Sequence, residues 1–169
     1  MKNVYGIAAV DMNYGIGYKN QLLFRIPNDM RFFKMMTHES IVVMGRKTFE
    51  SMNCKALEDR INVIITSNKQ QFYGRNDIIA DDAERVKRYV KEQANAGNKV
   101  FIIGGESIYK MFRHDMEEIY LTFYGKKFEN VDAYFPMNGF YTMREMIYAG
   151  MHITDGNDPV PYVITRWSY

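Results

Sequence analysis

The chain has 169 residues, 47% of them hydrophobic and 15% aromatic, with only 4 prolines. This is about one domain's length, and burial on that scale offsets conformational entropy, which excludes a disordered segment. Lys and Arg number 22 against 20 Asp and Glu, and the resulting +2 is spread without long basic runs. Such a balance disfavours a nucleic-acid surface but suits a small anionic ligand held by a few placed cations.

The apolar run Val4–Val10 is too short for a signal h-region and ends at Asp11, so it is read as the first strand. No stretch reaches the roughly 18 apolar residues that a membrane span needs. The lone cysteine, Cys54, forms no internal disulfide, and together these features point to a soluble protein of the reducing cytoplasm. Further β-branched runs at Ser40–Met44, Ile61–Thr66, Ile78–Ala80, Val100–Ile103 and Ile119–Phe123 are predicted to be strands buried on both faces. Between them, Asn28 is predicted to cap a helix from Asp29 to about Thr37, and Asp81 or Asp82 one that ends near Gly97. Two shorter helices are expected after Gly45 and after Gly105. Tyr141–Tyr148 and Tyr162–Trp167 form a predicted C-terminal antiparallel hairpin, with a polar turn around Thr154–Pro161. The fold class is therefore α/β: a mostly parallel central sheet of about eight strands flanked by about four helices. No repeat or linker divides residues 1–169, so a single domain is expected, and dispersed charge favours a monomer. The 13 methionines are read as flexible core filler.

Ligands of open α/β sheets bind outside the carboxyl ends of the strands, and two such ends carry glycine. These are Gly45-Arg46-Lys47-Thr48 and Gly104-Gly105-Glu106-Ser107, each opening a predicted helix. Glycine lets backbone amides approach a phosphate, and a helix start supplies free N–H groups. Two such turns suit a ligand with several phosphates, although neither matches the phosphate loop of nucleotide triphosphatases or the usual dinucleotide fingerprint. Asp29, two residues after Pro27, has two readings. One is a helix-dipole acid; the other is a carboxylate among Leu22, Phe24, Met30 and Phe33 that pairs with the N–C–N edge of a heterocycle such as a pterin. His38, His114 and His152 show no metal-ligand spacing, so no metal is expected. No serine or cysteine is placed as a nucleophile, which leaves cofactor chemistry with one protein carboxylate.

At this point the residues resemble the dihydrofolate reductase family over essentially the whole chain. The match comprises Ile7-Ala8-Ala9-Val10-Asp11 with Gly15-Ile16-Gly17, Asn20-Gln21-Leu22, Ile26-Pro27-Asn28-Asp29 with Phe33-Lys34, and Val43 through Ser51. It continues through Leu57 with Arg60, Ile102-Ile103-Gly104-Gly105 with Ile108-Tyr109, Tyr120-Leu121-Thr122, and Asp132 with Phe135-Pro136. The resemblance implies reduction of 7,8-dihydrofolate to 5,6,7,8-tetrahydrofolate, with NADPH as cofactor, dihydrofolate as the small-molecule partner and antifolate inhibitors as competitors. It implies a catalytic set of Asp29, the family's buried acid, with Thr122 orienting it, and Leu22. Ile7, Ala8, Met30, Phe33, Met52, Leu57, Ile103 and Tyr109 would line the substrate pocket, and Arg60 would take the glutamate α-carboxylate. Ala9, Ile16 and Gly17 would hold the nicotinamide end of the cofactor, and Asp11 to Phe24 would form a mobile loop over it. Thr48, Gly104, Gly105, Glu106 and Ser107 would hold the pyrophosphate, with a cis peptide at Gly104-Gly105, and Gly45, Ile103 and Ile108 would also bind the cofactor. Arg46, with Lys47, Thr66 and Ser67, would hold the adenosine end and its 2′-phosphate.

Three departures from the family pattern stand out. Leu23-Phe24 replaces the proline and tryptophan of many members, Glu58-Asp59 flanks Arg60, and Cys54-Lys55-Ala56 is one residue longer than in compact bacterial relatives. Two other readings accompany the resemblance: an NADPH-dependent pyrimidine reductase of riboflavin synthesis, and a non-catalytic binding protein of the same fold.

Overall fold

The computed structural model describes residues 1–139, 143–152 and 161–168. In chain order the elements are β1 Val4–Val10, β2 Gly15–Tyr18, β3 Gln21–Leu22, α1 Pro27–Thr37, β4 Ile41–Gly45, α2 Arg46–Ser51, β5 Ile61–Ile65 and β6 Ile78–Asp81. They continue with α3 Ala83–Asn95, β7 Val100–Gly104, α4 Glu106–Phe112, β8 Glu118–Tyr124, β9 Ala133–Tyr134, β10 Arg144–His152 and β11 Tyr162–Ser168.

An eight-stranded sheet runs in the order β10-β11-β8-β1-β7-β4-β5-β6. From β8 to β6 every neighbouring pair is parallel, and β11 and β10 add antiparallel strands at one edge. Alternation along the central strands explains the layering. Val43, Val4, Val100 and Ile102 enter one apolar cluster with Val86 and Val90 of α3 and Phe112 of α4. Val42, Met44, Ile7 and Phe101 enter the other, with Phe32 of α1 and Phe49 of α2. Strands buried on both faces read as continuous apolar runs, which is why they were legible.

Several expectations are corrected. The helix expected from Asp29 begins at Pro27, with Ile26 as its extended cap residue and no side-chain cap bond, so Asn28 is inside the helix rather than its cap. Pro27 is preset for the first helical position and needs no donor there. At α3, Asp82 is the cap, its side chain accepting from the Arg85 N–H at 3.0 Å. The C-terminal strand runs on to His152 because register shifts carry it past Gly150. Tyr141 and Thr142, and the expected polar turn apart from Pro161, lie outside the described residues. A second sheet, in the order β3-β2-β9, takes β2 and β3 from the Asp11 to Phe24 segment expected to be a loop and β9 from a stretch with no expected strand; strands of two to four residues carry too little periodicity to be read. The methionines divide: Met44 and Met116 are buried in the core, whereas Met12, Met30 and Met35 are exposed.

Candidate active site

β4 and β7 are hydrogen-bonded neighbours, so the turns that follow them lie side by side. Gly45 and Gly105 are the extended cap residues of α2 and α4, and neither helix has a side-chain cap. First-turn N–H groups are thereby left for a ligand or water. Gly104, with φ +122° and a cis peptide to Gly105, adopts a backbone that L side chains rarely take. A Cβ on Gly45 would come within 3.1 Å of Ile108, and one on Gly105 within 3.4 Å of the Thr48 hydroxyl. The cradle is thus open because both positions are glycine, and its donors and small size fit a diphosphate.

Around this cradle the expected adenosine-end residues are only partly engaged. Arg46 Nη1 donates to Glu50 Oε1 at 2.9 Å, and Gln71 Nε2 donates to the same oxygen at 3.2 Å. Lys47 and Ser67 are exposed. Thr66 is buried, its N–H bonded to the Asp81 carbonyl and its hydroxyl accepting from the Asn68 N–H.

Five of the expected substrate residues, Ile7, Phe33, Met52, Leu57 and Ile103, gather on one face of the sheet. Ile7 is buried in the cluster that also carries Phe24, Phe33, Met52, Leu57 and Ile103 at its margin. By strand alternation the buried Thr122 shares this face with Tyr120 and Tyr124. Asp29 lies in the first turn of α1 and is half-exposed rather than buried, because that turn stands at the rim of the cluster. Met30 and Leu22 are 46% and 54% exposed, so neither is part of the packed face. Ala8 and Tyr109 pack against the opposite cluster. The Tyr109 hydroxyl nevertheless reaches back to donate to the Ile7 carbonyl at 2.8 Å, and burial pushes its pKa far up, so it remains a donor.

Arg60 is anchored to α1. Its Nε donates to Thr37 Oγ1 at 2.8 Å, Nη2 to the Lys34 carbonyl at 3.1 Å and Nη1 to the Glu58 carbonyl at 2.5 Å. Burial pulls its pKa down and the Asp59 charge pulls it back up, and it stays charged throughout. Each terminal nitrogen keeps a second N–H for a carboxylate. Asp59 itself is exposed, 3.9 Å from His38 Nε2.

Sequence alone gave no role to the residues that hold the Asp11 to Phe24 segment in place. Asp11 is fully buried; its Oδ1 accepts from the N–H groups of Asn13 and Gly15, both at 2.8 Å, and its Oδ2 from Phe128 N–H at 3.1 Å. An acid ending a buried strand four residues before a glycine was the available signal. Asp132 accepts from Lys19 N–H at 2.8 Å and donates its own N–H to the Gly17 carbonyl. Glu106, expected to hold pyrophosphate, turns its side chain to β9 and accepts from Tyr134 N–H at 2.8 Å, with Lys110 on its other oxygen. Phe24 stacks on Tyr124 at a centroid distance of 4.2 Å and on Phe128 at 5.8 Å.

A cavity of about 880 Å³ lies off this face, between Cys54–Asn62 and Arg75–Ile79; it shares only the outer residues Leu57 and Arg60 with the candidate substrate site. Among the described residues, no cluster of three or more His, Cys, Asp or Glu side chains could hold a metal ion. Nor is any helix long and apolar enough to cross a membrane.

Adjacent uncapped glycine turns beside an apolar face, with Asp29 in the first turn of α1, give an α/β protein a site whose shape fits a phosphate-bearing ligand next to a planar one. The dihydrofolate reductase family model matches residues 3–168, and the chain belongs to that family. A dihydrofolate reductase from Buchnera aphidicola is 32% identical over 160 residues, covering 95% of this chain and 95% of that protein. A bifunctional dihydrofolate reductase-thymidylate synthase from Paramecium tetraurelia is 33% identical over 140 residues; the match covers 82% of this chain and 29% of the longer protein. Among solved structures, dihydrofolate reductase from Enterococcus faecalis complexed with NADP(H) and RAB-propyl superposes with a TM-score of 0.84. It is 26% identical, with 98% of this chain and 95% of that chain covered.

Proposed function

We propose that this chain reduces 7,8-dihydrofolate to 5,6,7,8-tetrahydrofolate with NADPH. The observation that carries the reading is the juxtaposition, at one end of a parallel sheet, of the Gly45 and Gly105 turns with the apolar face around Ile7, Phe33, Met52 and Ile103. Bound NADPH supplies a hydride from its nicotinamide C4 to pteridine C6. The Asp29 carboxylate pairs with pteridine N3 and the 2-amino group in a bidentate, charge-assisted geometry. Held this way, the ring is oriented with N5 open to a water that delivers the proton. Thr122, on the same face, is a positioning residue for Asp29. Phe33, Met52, Leu57 and Ile103 flank the pteridine and aminobenzoyl rings, and Arg60 takes the glutamate α-carboxylate through its remaining N–H groups.

The Gly104-Gly105 turn, Thr48 and Ser107 hold the pyrophosphate, and Arg46, released from Glu50, holds the 2′-phosphate with Lys47 and Ser67. Ala9, Ile16 and Gly17 hold the carboxamide, and the segment of β2 and β3 excludes water from it. The chain acts as a single-domain monomer in the cytoplasm, a reading supported by its lone unpaired Cys54 and dispersed charge. The test is loss of reduced-nicotinamide absorbance with NADPH and dihydrofolate, run beside NADH and a folate-free control. Folate-dependent oxidation that prefers NADPH is expected. Oxidation with a riboflavin-pathway aminopyrimidine instead would overturn the folate reading.

A further inference from the structure

β9 is an edge strand of the small sheet, paired on one side with β2 through Gly15↔Tyr134 and Gly17↔Ala133. An edge strand leaves outward N–H groups without a ladder partner. The Tyr134 N–H is taken by Glu106 Oε2 at 2.8 Å, 28 residues away in sequence. Glu106 is the first residue of α4, directly after the Gly104-Gly105 turn. The side chain therefore spans from the turn assigned to pyrophosphate to the strand that carries β2, whose Ile16 and Gly17 are assigned to the nicotinamide end. On the inner side β9 is fastened again, with Phe135 N–H donating to the Tyr14 carbonyl at 2.8 Å and Asp132 N–H to the Gly17 carbonyl at 3.1 Å.

The carboxylate's charge is also managed locally. Lys110, one helical turn on, donates to its other oxygen. Burial pushes the Glu106 pKa up, but the Lys110 ammonium and the Tyr134 N–H together hold it below the ordinary glutamate value. An acid beside a phosphate turn would normally repel the ligand; here it is turned away and paired.

We propose that Glu106 is a positioning residue that ties the pyrophosphate turn to the small sheet over the nicotinamide, so that seating one end of the cofactor fixes the cover on the other. This rests on the NADPH-dependent reading above. The test compares Glu106→Ala and Glu106→Gln with the unaltered chain. Glutamine keeps an oxygen that can accept from Tyr134 N–H, whereas alanine does not.

With Glu106→Ala, NADPH affinity and the single-turnover hydride-transfer rate at saturating NADPH are each expected to fall about tenfold, the scale of one charge-assisted hydrogen bond. Affinity for adenosine 2′,5′-bisphosphate, which lacks the nicotinamide, is expected to stay within about twofold, since it does not use the tie. Amide exchange at Tyr134 and Phe135 is expected to accelerate, and Glu106→Gln, whose amide oxygen accepts without a charge, to restore part of each effect. Equal weakening of NADPH and the bisphosphate, or no change in either exchange or hydride transfer, would overturn the tie. Failure of the unaltered chain to bind NADPH would overturn the underlying cofactor reading, and this is seen before any variant is made.

Discussion

The turns at Gly45 and Gly105 and the segment from Asp11 to Ile26 both shape the candidate site, yet they are held by different forces. The turns sit on β4 and β7, where Val42, Val43, Val100 and Ile102 are fully buried. Their geometry follows from the sheet core, and displacing them means disturbing that core. The segment owes its course to the short β3-β2-β9 sheet, to individual hydrogen bonds to Asp11 and Asp132 and to the Phe24 stack, with Leu22 standing 54% exposed at its tip and only Ile26, at its end, fully in the core. Regions held by few contacts open at lower free energy than core strands, so the glycine turns are expected to be the fixed half of the candidate site and the segment its adjustable half.

Substitutions should separate the two halves. Phe101→Ala empties a buried ring site in the core on β7, and urea unfolding is expected to show a loss of about 3–5 kcal/mol. Asp11→Ala strands the N–H groups of Asn13, Gly15 and Phe128, with an expected loss of roughly 2–3 kcal/mol. The amides of β2 should then exchange faster while those of β7 keep their protection; equal acceleration in both would mean that the segment is part of the core after all.

A third substitution, Arg46→Ala, acts on binding alone. NADPH is expected to bind about 10- to 100-fold more weakly, with NADH moving less than about threefold, as for loss of one phosphate-paired guanidinium. An unchanged preference in titrations with both cofactors would assign the 2′-phosphate to another cation. The smallest effect is expected for Phe24→Trp. The larger indole enters an occupied stack with Tyr124 and Phe128, so a cost of about 1 kcal/mol and no gain in turnover are expected. Faster turnover would show that the family's indole N–H is needed here.

The same division explains what could be read in the sequence. Val42 to Met44 and Val100 to Ile103 announced themselves as buried strands because every residue is apolar, and the Asp81-Asp82 pair announced a helix start because capping is local chemistry, with Asp82 the cap. The glycine turns were legible for the same local reason. The β2–β3 hairpin is local, closed at Lys19-Asn20, but nothing local marks β9 as its partner, since Gly15 and Gly17 find Tyr134 and Ala133 across more than a hundred residues of sequence. Asp11, Glu50 and Glu106 were missed as hydrogen-bonding partners because their partners are defined only by the fold. Asp29 was found through its position after Pro27, but its half-exposure depends on how the first turn of α1 meets the cluster. Ala8 and Tyr109 came with the family resemblance, but strand alternation puts Ala8, and the packing of α4 puts Tyr109, in the other cluster.

The most direct measurement compares Asp29→Asn with the unaltered chain in two assays: NADPH binding, followed by energy transfer from Trp167 and the tyrosines, and single-turnover oxidation of bound NADPH by dihydrofolate at neutral pH. If Asp29 serves the substrate half alone, turnover falls at least about 100-fold while NADPH affinity stays within about twofold. Parallel loss of both, or retained turnover, would contradict the assignment of Asp29 to the substrate and with it the division of the site.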